Sequence, residues 1–203
     1  MKVKHLVGAF LCVLGCYACS SPKTEVQSPD GHIKMTLTVD ENGKPFYNVS
    51  VDDSLLIENS AMGFTAANGI ILAEGFQVKN TTFSSEDETW TQPWGENKKN
   101  RNHYNEMTVT LEQPETGRIL NIRFRLFDDG LGFRYELPLQ RKMNYLTVKD
   151  EVTEFNLTGN HKAFCIPGDY DTNEFAYTTA PLSEIAVDME KRIAKKSYES
   201  KAE

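Results

Sequence analysis

The stretch Ile122-Arg-Phe-Arg-Leu-Phe-Asp-Asp-Gly-Leu-Gly-Phe-Arg-Tyr135 decides the fold class of this 203-residue chain. In its first half, Ile122, Phe124 and Leu126 alternate with two arginines, which is the period of two of a half-buried β-strand. Asp128-Asp129-Gly130 follows with residue types that favour a tight turn, so the chain should return as a second strand. The stretch therefore predicts an antiparallel β-hairpin.

Similar short alternating segments recur about every ten residues along most of the chain. They cover residues 33–39, 46–51, 55–57 and 107–111 and, more weakly, 145–148 and 152–157. Asn42-Gly43 separates the first two segments and is a strong hairpin signal, because both residues tolerate positive φ. The pattern predicts a mainly β fold, an antiparallel sandwich over about residues 26–181.

The end of the chain has a different periodicity. From Pro181 onward the apolar residues fall three or four positions apart, namely Leu182, Ile185, Ala186, Met189 and Ile193. This spacing is typical of one face of an amphipathic helix. We therefore expect a short C-terminal α-helix after the sheets.

The composition limits the classes of function. The chain has 29 acidic residues against 22 lysines and arginines, a net charge of −7. A protein that binds nucleic acid by general electrostatics needs a basic face, so that class is excluded. The sequence contains no phosphate-binding loop, no dinucleotide fingerprint and no serine nucleophile elbow. Beyond the N-terminal segment Cys165 is the one cysteine, which excludes a disulfide framework.

The N-terminal segment has the features of a secretory leader. In residues 1–18, two lysines precede an apolar stretch that is too short to span a bilayer. The leader ends in a cysteine, like a bacterial lipoprotein signal. Cys16 and Cys19 both fit, and Cys19 is favoured because a polar tether, residues 19–28, begins there. We expect lipidation at Cys19, a place in the bacterial envelope (periplasm or outer membrane), and membrane contact only through that anchor.

A polar segment, residues 88–106, contains both tryptophans of the chain, Trp90 and Trp94. Its composition predicts a strand-poor loop. Flat aromatic faces stack on sugar rings, and the neighbouring Asn, Glu and Arg side chains can bond hydroxyls, so the two tryptophans are candidates for carbohydrate binding. The alternative interpretation is a long loop pinned to the sandwich by its own aromatic side chains.

A second segment is rich in oxygen donors. Asp169, Asp171, Asn173 and Glu174 occur within six residues, and loops of this kind suit Ca²⁺. The glycine and the distal glutamate of a helix–loop–helix calcium motif are missing. The residues alone therefore favour a solvated turn over a calcium site.

Two further groups have simpler interpretations. Asp128-Asp129 could be read as a catalytic carboxylate pair, but its place between two predicted strands favours a role in the turn. His32, His103 and His161 are scattered without metal-ligand spacing. We expect them to be surface or hydrogen-bonded residues.

An ordered set of motifs runs along the chain: Ser28–Gly31, Trp90 with Trp94-Gly95-Glu96, Arg101–Glu106, Phe124–Tyr135, Ile166–Asp171 and Pro181–Ile185. Together they resemble the N-terminal part of glycoside hydrolase family 97. That family includes α-glucosidases of Bacteroides-type starch utilisation and α-galactosidases. The resemblance covers residues 26–185.

The resemblance implies a β-super-sandwich that precedes a (β/α)₈ barrel with the catalytic carboxylates, followed by a small β-domain. Residues 29–185 would be the super-sandwich, whereas residues 186–203 form a helical tail where the family has further β-structure. The sequence ends before any barrel strand, which suggests a truncated product. We therefore expect a chain without the carboxylate pair of glycoside hydrolysis, non-catalytic by itself.

The resemblance also implies a calcium ion near the active site, with one glutamate ligand supplied by a loop like residues 171–174. This makes Glu174 the expected ligand of a Ca²⁺ shared with the missing barrel. The expected function is that of a carbohydrate-facing, calcium-contributing domain of an α-glucosidase or α-galactosidase in polysaccharide utilisation. The alternative is a free-standing lipoprotein that binds carbohydrate or a partner protein through the surface that would face the barrel.

Overall fold

Antiparallel strands dominate the computed structural model, which describes residues 23–141, 143, 145–168 and 175–199, without the side chains of residues 194–199. The strands are β1 Glu25–Gln27, β2 Ile33–Val39, β3 Pro45–Val51, β4 Ser54–Ala61, β5 Phe64–Ala66, β6 Ile71–Leu72, β7 Gln77–Thr91, β8 Lys99–Gln113, β9 Arg118–Phe127, β10 Gly130–Glu136, β11 Val148–Glu151, β12 Lys162–Cys165 and β13 Thr178–Pro181. A 3₁₀ turn, Leu182–Glu184, leads into the helix α1, Ile185–Glu199.

Two four-stranded antiparallel sheets form the body of the molecule. Their strand orders are β1-β2-β3-β4 and β10-β9-β8-β7. A three-stranded sheet, β11-β5-β6, and the hairpin β12-β13 complete the described part. The predicted mainly β, sandwich-like fold with a short C-terminal helix is confirmed.

The core lies between the two larger sheets, because each supplies the apolar half of its alternating strands. On β9, Leu120, Ile122, Phe124 and Leu126 are fully buried while the intervening residues are partly exposed. The same alternation on the other strands adds Met35, Leu37, Tyr47, Val49, Met107, Val109 and Leu111 to the core. The period of two in the sequence thus translates directly into an inner and an outer face.

The β2–β3 turn shows why Asn42-Gly43 is needed where it lies. Gly43 has a φ of +75°, which favours glycine. Its carbonyl accepts a hydrogen bond from the Phe76 amide at 2.9 Å, and Asn42 accepts one from Gly75 at 2.9 Å. A side chain at Gly43 would collide with the main chain of residues 75–76. The turn therefore binds the segment that leads into β7.

Two predictions of secondary structure from the sequence were wrong, and a third was partly right. Most of the segment predicted as a strand-poor loop, residues 88–106, belongs to strands β7 and β8, and only residues 92–98 connect them. The weak segment at 152–157 is no regular strand: it forms one isolated bridge, Leu157 to Ile57. The weak segment at 145–148 becomes a strand only from Val148. The loop prediction failed because β7 and β8 extend into solvent, where neither face is buried and no apolar alternation is required.

Burial is distributed unevenly along the described chain. The buried apolar side chains lie between Val26 and Leu126, apart from Ala180. Of the fifteen exposed large apolar side chains, ten follow Glu136. We call these ten the C-terminal apolar set: Leu137, Leu139, Tyr145, Val148, Phe155, Leu157, Phe164, Tyr177, Val187 and Ile193. Among the described residues no helix combines the length and apolar character needed to span a bilayer.

Candidate functional site

A two-stranded arm extends from one end of the second sheet. β7 and β8 pair along their whole length, but β9 joins β8 only from the pair Tyr104–Phe127 onward. Residues 87–103, which we call the arm, therefore have no third strand. Two-stranded ribbons are marginally stable in water, so the arm depends on its cross-strand side-chain pairs.

Polar pairs hold the two strands of the arm together. Arg101 donates two hydrogen bonds of 2.8 Å to the Asp87 carboxylate, and the Asn102 amide donates one of 3.0 Å to Glu88. The hydrogen bonds from Arg101 lower the pKa of Asp87. At the tip, the Gln92 amide donates to the Asn97 carbonyl at 2.7 Å. All these groups are exposed, so water screens each pair and its contribution to stability is small.

Both tryptophans of the arm point into solvent. Trp90 lies opposite Asn100 in the register and is 49% exposed, and Trp94 at the tip is 85% exposed. The two tryptophans therefore do not pin the segment to the sandwich. Trp90 shares a face of the arm with Glu88 and Asn102, since all three lie at alternating or directly paired positions. An aromatic face beside an amide and a carboxylate is chemically suited to a sugar ring.

A network of charges covers the outer face of the second sheet beside the arm. Glu106, which has only 7% of its side chain exposed, accepts hydrogen bonds from Arg123 and from Arg125 Nε, the latter at 2.7 Å. Arg123 also donates to Glu136, with Nε at 2.7 Å. Arg125 in turn lies over the Tyr104 ring, 4.3 Å from its centre. Alternating charges thereby connect the three strands β8, β9 and β10.

The arginines control the ionisation of the two glutamates. Burial raises the pKa of Glu106, but the hydrogen bond from Arg125 and the charges of Arg123 and Arg125 outweigh it, so the net shift is downward. The pKa of Glu136 is lowered chiefly by its hydrogen bond from Arg123. Both groups are therefore held as carboxylates. A proton donor for acid catalysis needs the opposite shift.

The Asp128 carboxylate links the two sheets at the arm's base. It accepts a hydrogen bond from the Asp30 amide at 3.1 Å, and its other oxygen lies 3.0 Å from His103 Nδ1. Asp128 and Asp129 form the turn between β9 and β10, as predicted. His32 contacts Asp52, so the prediction of hydrogen-bonded surface histidines is confirmed for His32 and His103. Asp128-Asp129 therefore has a structural role, in the β9–β10 turn and in the contact between the two sheets.

A family model described as Glycosyl-hydrolase 97 N-terminal matches residues 26–197 of the chain. The chain belongs to this family. The resemblance seen in the ordered sequence motifs is thus confirmed, and the matched range extends into α1. The domain boundaries expected at residues 28/29 and 185/186 stay predictions.

Relatives of the family 97 N-terminal domain include complete glycoside hydrolases. A retaining alpha-galactosidase of Bacteroides thetaiotaomicron is 26% identical over 196 residues, which is 90% of this chain and 28% of that protein. Among solved structures, a family 97 enzyme from Pseudoalteromonas sp. strain K8 in complex with panose matches with a TM-score of 0.73 and 37% identity, over 78% of this chain and 24% of that one. A beta-arabinopyranosidase matches with a TM-score of 0.67 and 26% identity, over 76% of this chain and 26% of that chain. The family 97 domain thus spans about a quarter of the length of these relatives.

Two of the predicted sites of the family 97 domain fall outside the described residues. Glu174, the expected Ca²⁺ ligand, lies in the segment 169–174, and Cys19, the expected lipidation site, lies in residues 1–22. Within the described residues, no group of three or more His, Cys, Asp or Glu side chains is arranged to hold a metal ion. The calcium and lipid assignments stay predictions.

Sequence reasoning missed the Glu106 network in the family 97 domain. A signal was present: Tyr104 and Glu106 alternate with the apolar residues of β8, while Arg123 and Arg125 alternate with those of β9. Charged residues on the outer faces of adjacent strands can pair across the ladder. Only the register, which places Glu106 opposite Arg125, determines that they do.

Proposed function

We propose that this chain acts as the N-terminal, carbohydrate-facing domain of a family 97 glycoside hydrolase active on α-glucosides or α-galactosides in polysaccharide utilisation. The observation that carries the proposal is the family match over residues 26–197, combined with relatives that are about four times as long. The bound panose of one relative and the alpha-galactosidase name of another support the two substrate classes.

The partner of the domain would be a catalytic barrel. The C-terminal apolar set supports this part of the proposal, because Ala180 is the one buried apolar side chain among the described residues after Glu136. Leu139 is 96% exposed and Tyr145 is 91% exposed, and apolar side chains with this exposure are candidates for contact with another protein surface. An apolar hollow of about 260 Å³ lined by Leu137, Leu146 and Val148 lies in the same region. This surface favours a domain that docks on a protein over a free-standing lipoprotein.

The domain would be non-catalytic by itself. Glycoside hydrolysis needs two carboxyl groups about 5–10 Å apart across the scissile bond, one of them protonated. Four carboxylates beside the arm already have partners: Glu106 and Glu136 bind arginines, Asp87 binds Arg101, and Asp128 accepts a hydrogen bond from the Asp30 amide. The pKa values of Glu106, Glu136 and Asp87 are lowered, so none of these three groups is held in the protonated form. The catalytic pair would come from the barrel.

We further propose that Glu174 contributes a carboxylate ligand to a Ca²⁺ shared with the barrel. The support is the oxygen-donor composition of residues 169–174 and the resemblance to the family. We also propose that Trp90 and Trp94 contact carbohydrate, since both are exposed. Lipidation of Cys19 would hold the protein in the bacterial envelope, and Cys19→Ala with Cys16 intact should abolish labelling by a radioactive fatty acid.

The test is a chimera in which this chain replaces the matching quarter of the Pseudoalteromonas enzyme. We expect the chimera to hydrolyse panose in a Ca²⁺-dependent manner, whereas this chain alone should hydrolyse neither aryl α-glucoside nor aryl α-galactoside. The Glu174→Gln chimera should need more Ca²⁺ for half-maximal activity, and Glu112→Gln, at an exposed ion pair, is the matched control. A folded chimera no more active than the barrel without its N-terminal part would refute the proposal.

A further inference from the structure

A cleft of about 660 Å³ opens between the two larger sheets on the side of the arm, away from the tryptophans. One wall is formed by β1 and the turn at residues 28–31, and the other by β7 and β8. The cleft exists because β1 has three residues whereas β7 has fifteen, so the first sheet stops short of the second. Both strands are sheet edges with no further strand beside them in the described part.

A side-chain hydrogen bond connects the two walls of the cleft. The Asn105 side-chain amide donates a hydrogen bond of 2.9 Å to the Gln27 carbonyl and so ties β8 to β1. Phe83 lies opposite Met107, which is fully buried, yet Phe83 itself is 51% exposed because β1 does not cover it. An aromatic ring is thereby held at the margin of the core with one side open to the cleft.

The remaining lining is polar and mixed in character. It includes the Lys23 ammonium, the carboxylates of Glu25 and Asp30, and the Ser85 hydroxyl. Among the described residues, neither Lys23 nor Ser85 makes a side-chain hydrogen bond or an ion pair. A sugar ring presents an apolar face of C–H groups and a rim of hydroxyls that both donate and accept. One exposed aromatic ring among donors and acceptors matches that chemistry.

We infer that this cleft binds a neutral oligosaccharide, with Phe83 against the apolar face of one sugar ring. The inference rests on the proposed function, which makes carbohydrate the ligand class, and adds a site that is separate from the tryptophans. Phe83 shares its sheet face with Met107 and Ser85, whereas Trp90 lies on the opposite face, since the two positions differ by an odd number of residues in one strand. One sugar ring cannot contact both.

The charge and the lining of the cleft disfavour two other classes of ligand, anionic sugars and peptide strands. The carboxylates of Glu25 and Asp30 line it beside the Lys23 ammonium, so the cleft offers no excess of positive charge to an anionic ligand such as a phosphorylated sugar. A peptide strand added to β7 would gain its specificity from pockets for alternate side chains, and Phe83 is the one aromatic residue in the lining. A neutral ligand with many hydroxyl groups needs neither an excess of positive charge nor a row of side-chain pockets.

The experiment is calorimetric titration of the full chain with panose and with raffinose, as α-glucoside and α-galactoside probes. Phe83→Ala should weaken binding of at least one probe about three- to tenfold, which is the effect of losing one aromatic contact. Phe83→Tyr keeps the ring and should bind like the wild type. Phe164→Ala, at an exposed aromatic residue outside the cleft, should leave this binding unchanged.

Unchanged affinity in Phe83→Ala would overturn the inference, even if Trp94→Ala abolished binding. The absence of saturable binding to the wild-type chain would overturn it as well, while the chimera test of the proposed function would stand. If Phe83→Ala instead lowered the activity of the chimera with no effect on sugar affinity of the chain, the cleft would be a protein contact and the inference would fail.

Discussion

Replacing Glu106 by glutamine tests how much the charge network contributes to stability. The change keeps the shape of the side chain and removes the one carboxylate that both Arg123 and Arg125 contact. The variant leaves two guanidinium groups facing a neutral amide. Ser84, whose hydroxyl lies 3.3 Å from the carboxylate, can still bond the amide oxygen.

The magnitude follows from the burial of the three groups. Breaking a fully buried ion pair by removing one partner costs about 3–5 kcal/mol. Here the cost is smaller, because Arg123 keeps its bonds to Glu136 and because 39% of the Arg125 side chain is exposed to water. We therefore expect Glu106→Gln to lower the free energy of unfolding by about 1.5–3 kcal/mol. This is a substantial part of the ~5–15 kcal/mol typical of a domain.

The assay is urea denaturation at pH 7, followed by far-ultraviolet circular dichroism. The control is Glu112→Gln, which breaks the exposed pair with Lys79 and should cost less than about 1 kcal/mol. The folded-state pKa of Glu106 is lowered, so its contribution is present above the unfolded value of 4.5 and is lost as the pH falls through the folded value. The difference between wild type and variant should shrink below about pH 4.5.

Two results would refute the reasoning about Glu106. The first is a variant within about 0.5 kcal/mol of the wild type at pH 7, which would mean that the network makes no net contribution. The second is strict additivity with Arg125→Gln. If the cost arises from an uncompensated guanidinium, removing that group as well should make the double variant less destabilised than the sum of the two single variants.

Three further predictions concern the turn, the surface histidine and the core. Gly43→Ala should cost about 1–3 kcal/mol in urea denaturation, because φ is +75° and a Cβ meets main-chain atoms; a cost near zero would contradict this account of the turn. The pKa of His32, raised by its hydrogen bond to Asp52, should fall in Asp52→Asn when titrated by NMR; because the folded value is raised, its stabilising effect is present at low pH and is lost as the pH rises through it. Phe124→Ala, fully buried, should cost about 3–5 kcal/mol, whereas Phe164→Ala, 74% exposed, should stay within about 0.5 kcal/mol. Equal losses of stability in the two variants would contradict the burial of Phe124 and the exposure of Phe164.

The sequence was sufficient for the strands of the sandwich because the core imposes a local rule. A strand with one buried face must alternate, and residues 33–39 and 118–127 do so in a way visible without coordinates. The helix α1 was visible for the same reason at a different period. Family membership was likewise accessible, since the ordered motifs are linear features.

Prediction of strands from the sequence failed where neither face of a strand is buried. The arm carries polar residues on both sides, so nothing in its composition distinguishes strands β7 and β8 from a loop; only the cross-strand register, such as Asp87 with His103, defines it. The exposure of Trp90 and Trp94 was equally beyond the sequence, because tryptophan is as often an anchor as a contact residue.

By itself, the sequence determined the fold class, the family, and the candidate carbohydrate and calcium residues, because alternation and motifs are properties of neighbouring positions. The tertiary structure decided which charges meet, that β1 stops short of β7 to leave a cleft beside Phe83, and that the described residues after Glu136 expose most of their large apolar side chains. These features depend on residues distant in the chain being brought together, and on how far one sheet covers another. Local periodicity of the sequence predicts neither the contacts between distant residues nor the overlap of the two sheets.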